Sequence, residues 1–437
     1  MSQLAINGGK PLRTKLFPAY KIIGEEEKKE VMRVLDSGVL SKYLGCWDPD
    51  FYGGPEIQLF EKEWAHYFGA KHAIAINSCS SGLQVAVGAA GVGPGDEVIV
   101  SPYSMVISAT APIIYGAVPV FADIEDKYFC LDPKSIEKKI TKRTKAIIVV
   151  DIWGQPYDSD AINLLAKKHG LIVIEDCAQA PGAKYKNKFA GTLGDIGVYS
   201  LNYHKHIHTG ERGVVVTNDD KLAQKIRLIM NHADAVVAEM PNVKDLVNMV
   251  GFNMRLTEIQ AAIGRVQLRK LSKLLEERVR NCNYLSEQIC KIPGISDPGV
   301  RDGATHAYYV QAFLYDQKII GVSRNVFIDA VKAELPAHEL RETEGPRLFY
   351  GGAKPLYLLP LFQNKIAIGN KGFPFSKPYY NGDVSYEPGI CPTVERIQKY
   401  EMFGHEFMRP PMSKSDLDDV AEAFWKVYNN RHELPQI

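Results

Sequence analysis

An excess of charge is the first thing missing from this sequence. Lys and Arg number 52 and Asp and Glu 51, so 437 residues carry a formal net charge of +1. So balanced a chain has no bulk electrostatic footprint for non-specific nucleic-acid binding, and nucleic acid is not an expected partner. Paired cysteines are missing as well. The seven Cys, at positions 46, 79, 130, 177, 282, 290 and 391, form no CxxC pair and are odd in number. That argues against a disulfide framework and suits a reducing cytoplasm, the expected location. The first residues, Met-Ser-Gln-Leu-Ala-Ile-Asn-Gly-Gly, lack the basic start and apolar core of a secretory signal. Charge is absent altogether from residues 98–122, a run of 25 that is long enough to raise a membrane span. Pro102, Pro112, Gly116 and Pro119 interrupt it, so the run reads as a buried unit of strand 97–100, helix 105–115 and strand 117–121, and no membrane contact is expected.

What is present is the composition of an ordinary globular protein, with 46% hydrophobic and 24% charged residues, which leaves no room for disorder or coiled coil. At about 150 residues per domain the length suits two to three domains. Short apolar runs at 72–76, 97–100, 117–121, 146–150, 171–175, 197–201 and 213–217 alternate with helical stretches at 81–90, 157–168 and 219–231. Helices also precede them at 25–36 and 55–68. This alternation predicts an α/β domain with a mainly parallel sheet covered by helices on both faces. A long helical pattern at 256–289, with Leu256, Ile259, Ile263, Val266 and Leu271 on one stripe, reads as a spine leading to a second domain. Residues 345–390 hold seven Gly, six Pro and nine aromatics, too aromatic for a linker and too broken for regular elements. They are expected to form an ordered, loop-rich segment over a site or an interface. A capped amphipathic helix at 413–429 closes the chain.

Three places where strands end hold polar residues, and open α/β sheets bind ligands there. In Asn77-Ser78-Cys79-Ser80-Ser81-Gly82 a strand gives way to a helix; small hydroxyl residues there either cap the helix or seat an anion such as a phosphate. In Glu175-Asp176-Cys177-Ala178-Gln179 a carboxylate stands at the end of a buried strand, either as an N-cap or as the partner of a buried cation such as a protonated pyridine nitrogen. Between Ser200 and Gly213 a single lysine, Lys205, lies among His204, His206 and His208 before a glycine turn, either a solvated loop lysine or a Schiff-base amine. The three histidines have no obvious carboxylate or cysteine companion, so no metal is expected. An anion seat, a carboxylate and an imine lysine in this order are what pyridoxal 5′-phosphate requires.

On those residues the sequence resembles the DegT/DnrJ/StrS family of pyridoxal-phosphate-dependent aminotransferases. The likeness extends to Asn7-Gly-Gly-Lys-Pro-Leu-Arg13, Gly93-Pro-Gly-Asp-Glu-Val-Ile-Val100, Gly251-Phe-Asn-Met-Arg255 with Ala261, Gly264 and Gln267-Leu268, and Cys391-Pro392. The resemblance implies the aspartate-aminotransferase fold (fold type I), with a large, mostly parallel seven-stranded sheet domain sandwiched by helices and a smaller α+β C-terminal domain. The expected division is an N-terminal arm at 1–24, the cofactor domain at 25–275 and the small domain at 276–437. It also implies roles. Lys205 would carry the cofactor as an imine and shuttle the proton. Asp176 would pair with the pyridine nitrogen. Gln179 would bond the 3-hydroxyl or lie against the ring, and Ser80, Ser81 and Ser200 would hold the phosphate. Asn253 would reach the phosphate of a neighbouring subunit, giving a homodimer with shared active sites. Arg255 would lie nearby as a structural or substrate contact.

The sequence departs from the family at three points. Ser78-Cys79-Ser80 stands for Ser-Gly-Thr, Met105 occupies the position of the ring-stacking Trp or Phe, and Gly210-Glu-Arg-Gly213 replaces Gly-Glu-Gly-Gly, setting Arg212 near the lysine. The implied substrates are a keto-sugar, nucleotide-linked in the broader reading, or a ketocyclitol, together with glutamate or glutamine as amino donor; His204, Arg212 and Arg255 are the candidate substrate contacts. The Asn7–Arg13 opening and Pro355-Leu-Tyr-Leu-Leu-Pro-Leu-Phe362 are similar to the cyclitol branch. Two other readings stay open: a deoxysugar dehydratase using His204 or His206 as base, and a non-catalytic cofactor-binding regulator. The dehydratase branch replaces the lysine by His, and spacing from Ser200 puts Lys205 at that position.

Overall fold

Runs such as Ala146-Ile-Ile-Val-Val150 and Val214-Val-Val216 have no polar face, which suits strands covered on both sides. In the computed structural model, which describes residues 3–240 and 243–437, they lie in one seven-stranded sheet. Its strands are β1 (His72–Ile76), β2 (Glu97–Val100), β3 (Val118–Phe121), β4 (Thr144–Val150), β5 (Ile172–Asp176), β6 (Ile196–Ser200) and β7 (Gly213–Thr217), in the order β1-β7-β6-β5-β4-β2-β3. Strands β2 to β6 pair in parallel, and β7 runs against both its neighbours. The carboxyl ends of the parallel strands therefore share one edge of the sheet.

Residues 98–122 form the expected strand–helix–strand unit, with its helix at Ile107–Ile114 and its interior buried. Among the described residues no helix is long and apolar enough to cross a membrane. The long helix spans Glu258–Ile289 behind a Thr257 cap. Leu268 and Leu271 join the core of the large sheet, while Cys282, Leu285 and Ile289 join a second core, so one helix ties the two together.

That second core surrounds a small antiparallel sheet of β8 (Ile295–Ser296), β9 (Gln311–Tyr315), β10 (Leu348–Tyr350) and β11 (Met402–His405), in the order β8-β9-β11-β10. The Arg324–Glu334 and Lys414–Asn429 helices pack on it. The N-terminal arm belongs to this body. Leu4 and Phe17 are in its core, the N–H groups of Ala5 and Leu12 donate to Glu334, and Arg13 pairs with Asp416 and Asp419.

The aromatic-rich segment departs from the simple division by residue number. Beyond Gly352 it crosses back to the large sheet, where Tyr357, Phe362 and Tyr386 surround Phe121 of β3 with ring centroids 5.1–5.7 Å apart. Tyr386 Oη donates to the Pro119 carbonyl (2.8 Å) and Tyr380 Oη to Glu97 (2.6 Å). Tyr357, Tyr380 and Tyr386 thus cover apolar surface near the edge strand while placing their hydroxyls on acceptors.

Candidate active site

One cavity of about 630 Å³ lies where the ends of β2, β4, β5 and β6 meet the start of the Cys79–Ala89 helix. Ser78 caps that helix: its Oγ accepts from the Ser81 N–H (3.0 Å) and sits 2.9 Å from Ser81 Oγ. Among the described residues no hydrogen bond engages the N–H groups of Cys79 and Ser80, so two backbone donors at a helix start border the cavity. Gly213 makes this possible. A Cβ there would lie 2.6 Å from the Ser78 carbonyl and 2.8 Å from the Cys79 nitrogen, so only glycine lets β7 pass this close. Of the expected serines, Ser80 and Ser200 line the cavity; Ser81 does not, because its hydroxyl is turned onto the Ser78 cap.

Asp176 is the last residue of β5 and is buried. Its Oδ2 accepts from Ser108 Oγ (2.8 Å), which is itself 3.0 Å from Ser104 Oγ, and its Oδ1 accepts from the Ala178 N–H (3.2 Å). Burial raises the carboxyl above its usual range, and Ser108, the Ala178 N–H and the nearby Lys205 pull it part of the way back. A carboxylate so placed gains from a cation brought against it. Gln179 Oε1 accepts from the Trp153 N–H (2.6 Å), leaving its amide NH2 as the donor on the cavity side of that bond.

Lys205 stands on the loop between β6 and β7. Its N–H donates to the Asn202 carbonyl (2.8 Å), and Asn202 Nδ2 bonds Glu211 (2.7 Å), which pins the loop across its turn. The side chain is 9% exposed and its Nζ lies 4.2 Å from the centre of the Tyr309 ring. The neighbouring histidines diverge. His204 lines the cavity, stands 3.1 Å from Arg341 through Nδ1 and is held down to about 4 by burial and that guanidinium. His206 Nε2 meets the Ala307 carbonyl, and the backbone N–H of His208 donates to Gln267.

Other expected residues fall differently. Met105 lines the mouth and is 66% exposed. Arg212 borders the cavity, but its guanidinium packs 3.3 Å from the centre of the Phe60 ring and donates to the Gln260 carbonyl (3.2 Å), neither of which lines it. It is 1% exposed, and burial without a carboxylate bonded to it lowers it to about 9. Its guanidinium is thus directed toward Phe60 and Gln260. Asn253 and Arg255 also lie off the cavity; Asn253 is exposed and accepts from Arg255 Nε (2.9 Å). No local sequence signal marks Ser108, Trp153, Tyr309 or Glu406. Arg347, Phe349 and Tyr350, which also line the cavity or its wall, fall in the aromatic-rich stretch expected over a site.

These residues fit pyridoxal phosphate: two unused helix N–H groups for an anion, a buried carboxylate for the ring nitrogen, and one lysine between them. With the parallel sheet and its one reversed strand, they define a pyridoxal-phosphate-dependent aminotransferase of fold type I. The chain belongs to the DegT/DnrJ/EryC1/StrS aminotransferase family, whose sequence model matches residues 21–388. It is 35% identical over 407 residues to the spore coat polysaccharide biosynthesis protein SpsC of Bacillus subtilis (strain 168), covering 92% of this chain and 94% of that one. It is 31% identical over 446 residues to the L-glutamine:2-deoxy-scyllo-inosose aminotransferase of Streptoalloteichus tenebrarius, covering 99% of both. Among solved structures, the aminotransferase from Psychrobacter cryohalolentis superposes with a TM-score of 0.78 at 29% identity, over 96% of this chain and 100% of that one.

Proposed function

We propose that this aminotransferase moves an amino group from glutamate or glutamine to a keto-sugar or ketocyclitol in amino-sugar, polysaccharide or antibiotic biosynthesis, as a cytoplasmic homodimer. The observation that carries the reading is the shared cavity of Lys205, Asp176 and the free N–H groups of Cys79 and Ser80. Both the polysaccharide-pathway relative and the cyclitol relative match nearly the full chain, which supports sugar or cyclitol as the acceptor class.

Bound there, pyridoxal phosphate supplies an electron sink. The rest falls to the chain. The Cys79 and Ser80 N–H groups with the Ser80 and Ser200 hydroxyls would hold the phosphate, and Asp176 would hold positive charge at the ring nitrogen. Gln179 orients the ring hydroxyl through its amide NH2. Lys205 Nζ would take the proton from the donor's α-carbon and pass it on within the first half-reaction, and would deliver one to the acceptor carbon in the second; the Tyr309 ring faces the ammonium whenever it carries the proton. Tyr103, Trp153 and Phe349 form an apolar aromatic wall on one side of the cavity.

Asn253 is assigned to the partner's phosphate site. Its exposure supports this, as do the exposed Leu44, Trp47, Leu246, Val247 and Val250 on the two segments that pack around Phe51 and Met249. The seven free cysteines support a reducing compartment. In the first test the holoprotein is reduced with borohydride and digested: the cofactor is expected on the Lys205 peptide, and label elsewhere, or in Lys205→Ala, refutes the assignment. In the second, Lys205→Ala and Asn253→Ala chains are mixed after dissociation. Heterodimers with one intact shared site are expected to recover activity that neither parent has; no recovery on mixing removes the shared site.

A further inference from the structure

The mouth of the cavity carries a charge cluster that the roles above leave unused. Arg347 and Glu406 both line the cavity. Glu406 is 4% exposed and is met by three guanidinium groups: Arg347, Arg341 (3.2 Å) and Arg409 (2.7 Å). Glu344 takes Arg341 (2.6 Å) and Arg347 (2.8 Å) from the outer side. Three cations against two carboxylates leave one positive charge over. The cluster is also close to the chemistry: the Tyr309 ring that carries Lys205 Nζ at 4.2 Å has Arg409 Cζ at 5.9 Å from its centre.

The geometry points to Arg347 as the carboxylate anchor for the amino donor, with Glu406 as the counter-ion it leaves when the donor binds. This rests on the aminotransferase reading. A ping-pong enzyme admits to one cavity first an amino acid with a carboxylate on its reacting carbon and then a ketone with none there, so a permanently bare cation at that point would be solvated or misused in the second half. Arg347 meets both needs. Its Nη1 stays on Glu344, its Nη2 holds Glu406, and among the described residues its Nε has no hydrogen-bond partner. A carboxylate taking the Nε–Nη2 edge gains a two-point contact and displaces Glu406 from Nη2 alone. Glu406 tolerates this because Arg341 and Arg409 remain, so no buried charge is stranded. Once donor has left, the pair re-forms and masks the cation from the acceptor. Arg212, the other arginine bordering the cavity, cannot serve, since its guanidinium lies on Phe60 and Gln260.

The test follows the cofactor absorbance of the holoprotein in single-turnover mixing with L-glutamate and L-glutamine. Arg347→Gln is expected to raise the half-saturating concentration of both donors about 30-fold or more while the limiting rate stays within about threefold, because the guanidinium binds the donor and takes no part in proton transfer. Arg347→Lys, which keeps the charge without the fork, is expected to fall between, and Glu406→Gln to saturate at lower donor concentration than wild type. Arg347→Gln holoprotein that saturates within about twofold of wild type overturns the inference, as does a loss confined to the limiting rate. Wild-type protein that shows no cofactor absorbance overturns both this and the site reading, whereas normal wild-type spectra with an indifferent Arg347 overturn this alone.

Discussion

Removing the Ser108 hydroxyl tests how the buried carboxylate is kept ready for a cation. Asp176 Oδ2 has one hydrogen bond, from Ser108 at 2.8 Å, and Ser104 holds that hydroxyl at 3.0 Å. The bond favours the ionised carboxylate, and bonds to charged groups contribute about 1.5–3 kcal/mol. Its loss should therefore raise the Asp176 carboxyl further beyond where burial already pushes it. Since pairing with the protonated ring needs the ionised form, Ser108→Ala should weaken pyridoxal phosphate about 10- to 100-fold. The affinity should also fall away at higher pH than in wild type as the medium is acidified. Titration of apoprotein with cofactor from pH 5 to pH 8, read by absorbance, measures both. Ser108→Thr keeps the hydroxyl and should bind nearly as wild type. Unchanged affinity and an unchanged pH profile in Ser108→Ala would refute the reasoning, because the bond would then do nothing for the charge on Asp176.

Gly213→Ala places a methyl 2.6 Å from the Ser78 backbone; thermal unfolding should register a loss of about 1–3 kcal/mol, with weaker cofactor binding as the helix start is pushed out. Glu406 is opposed by burial, but Arg409, Arg347 and Arg341 hold it below its ordinary 4.5 at about 2. Its folded value is depressed, so its stabilisation is full above about pH 4.5 and is lost as pH falls towards 2, roughly 3 kcal/mol in all. Urea unfolding at pH 6 and pH 3.5 should show the first part of that loss, about 1.4 kcal/mol, and Glu406→Gln should flatten it. Arg212 is buried with Nε and Nη2 lacking hydrogen-bond partners among the described residues, so Arg212→Met should leave stability unchanged or raise it by about 1–3 kcal/mol without loss of cofactor; a clear drop in donor or acceptor binding would instead make Arg212 a substrate contact.

The sheet is legible in the sequence because its strands are covered on both faces, so each reads as an apolar run whatever its neighbours. Lys205, Asp176 and Ser80 are legible because they stand at strand ends, where polar residues next to apolar runs need a reason. Ser108 is hidden by the same rule: it lies one residue into a helix inside an uncharged run, and only the β5 register brings it to Asp176. Arg347 and Glu406 are 59 residues apart in the chain and meet through pairing of β10 with β11, where Leu348 faces His405. No local pattern announces such a pair. Nearness of Arg212 to Lys205 along the chain does not fix where a long side chain points, and its guanidinium turns to Phe60. The excursion of the aromatic segment to β3 is not legible either, since its tyrosines suit any half-buried surface with an acceptor nearby.

That excursion governs the order in which the chain can be assembled. β11 (Met402–His405) is the strand between β9 and β10, yet it is made after residues 353–397 have gone back to the large sheet. A nascent chain ending before about residue 400 would expose one edge each of β9 and β10 with nothing to pair them, and its small body would have no finished core. The latest-made strand of the small sheet is thus its keystone. Synthesis of nearly the whole chain must precede completion of the wall that carries Arg347 and Glu406, so truncated products should be prone to edge-to-edge aggregation rather than partial activity.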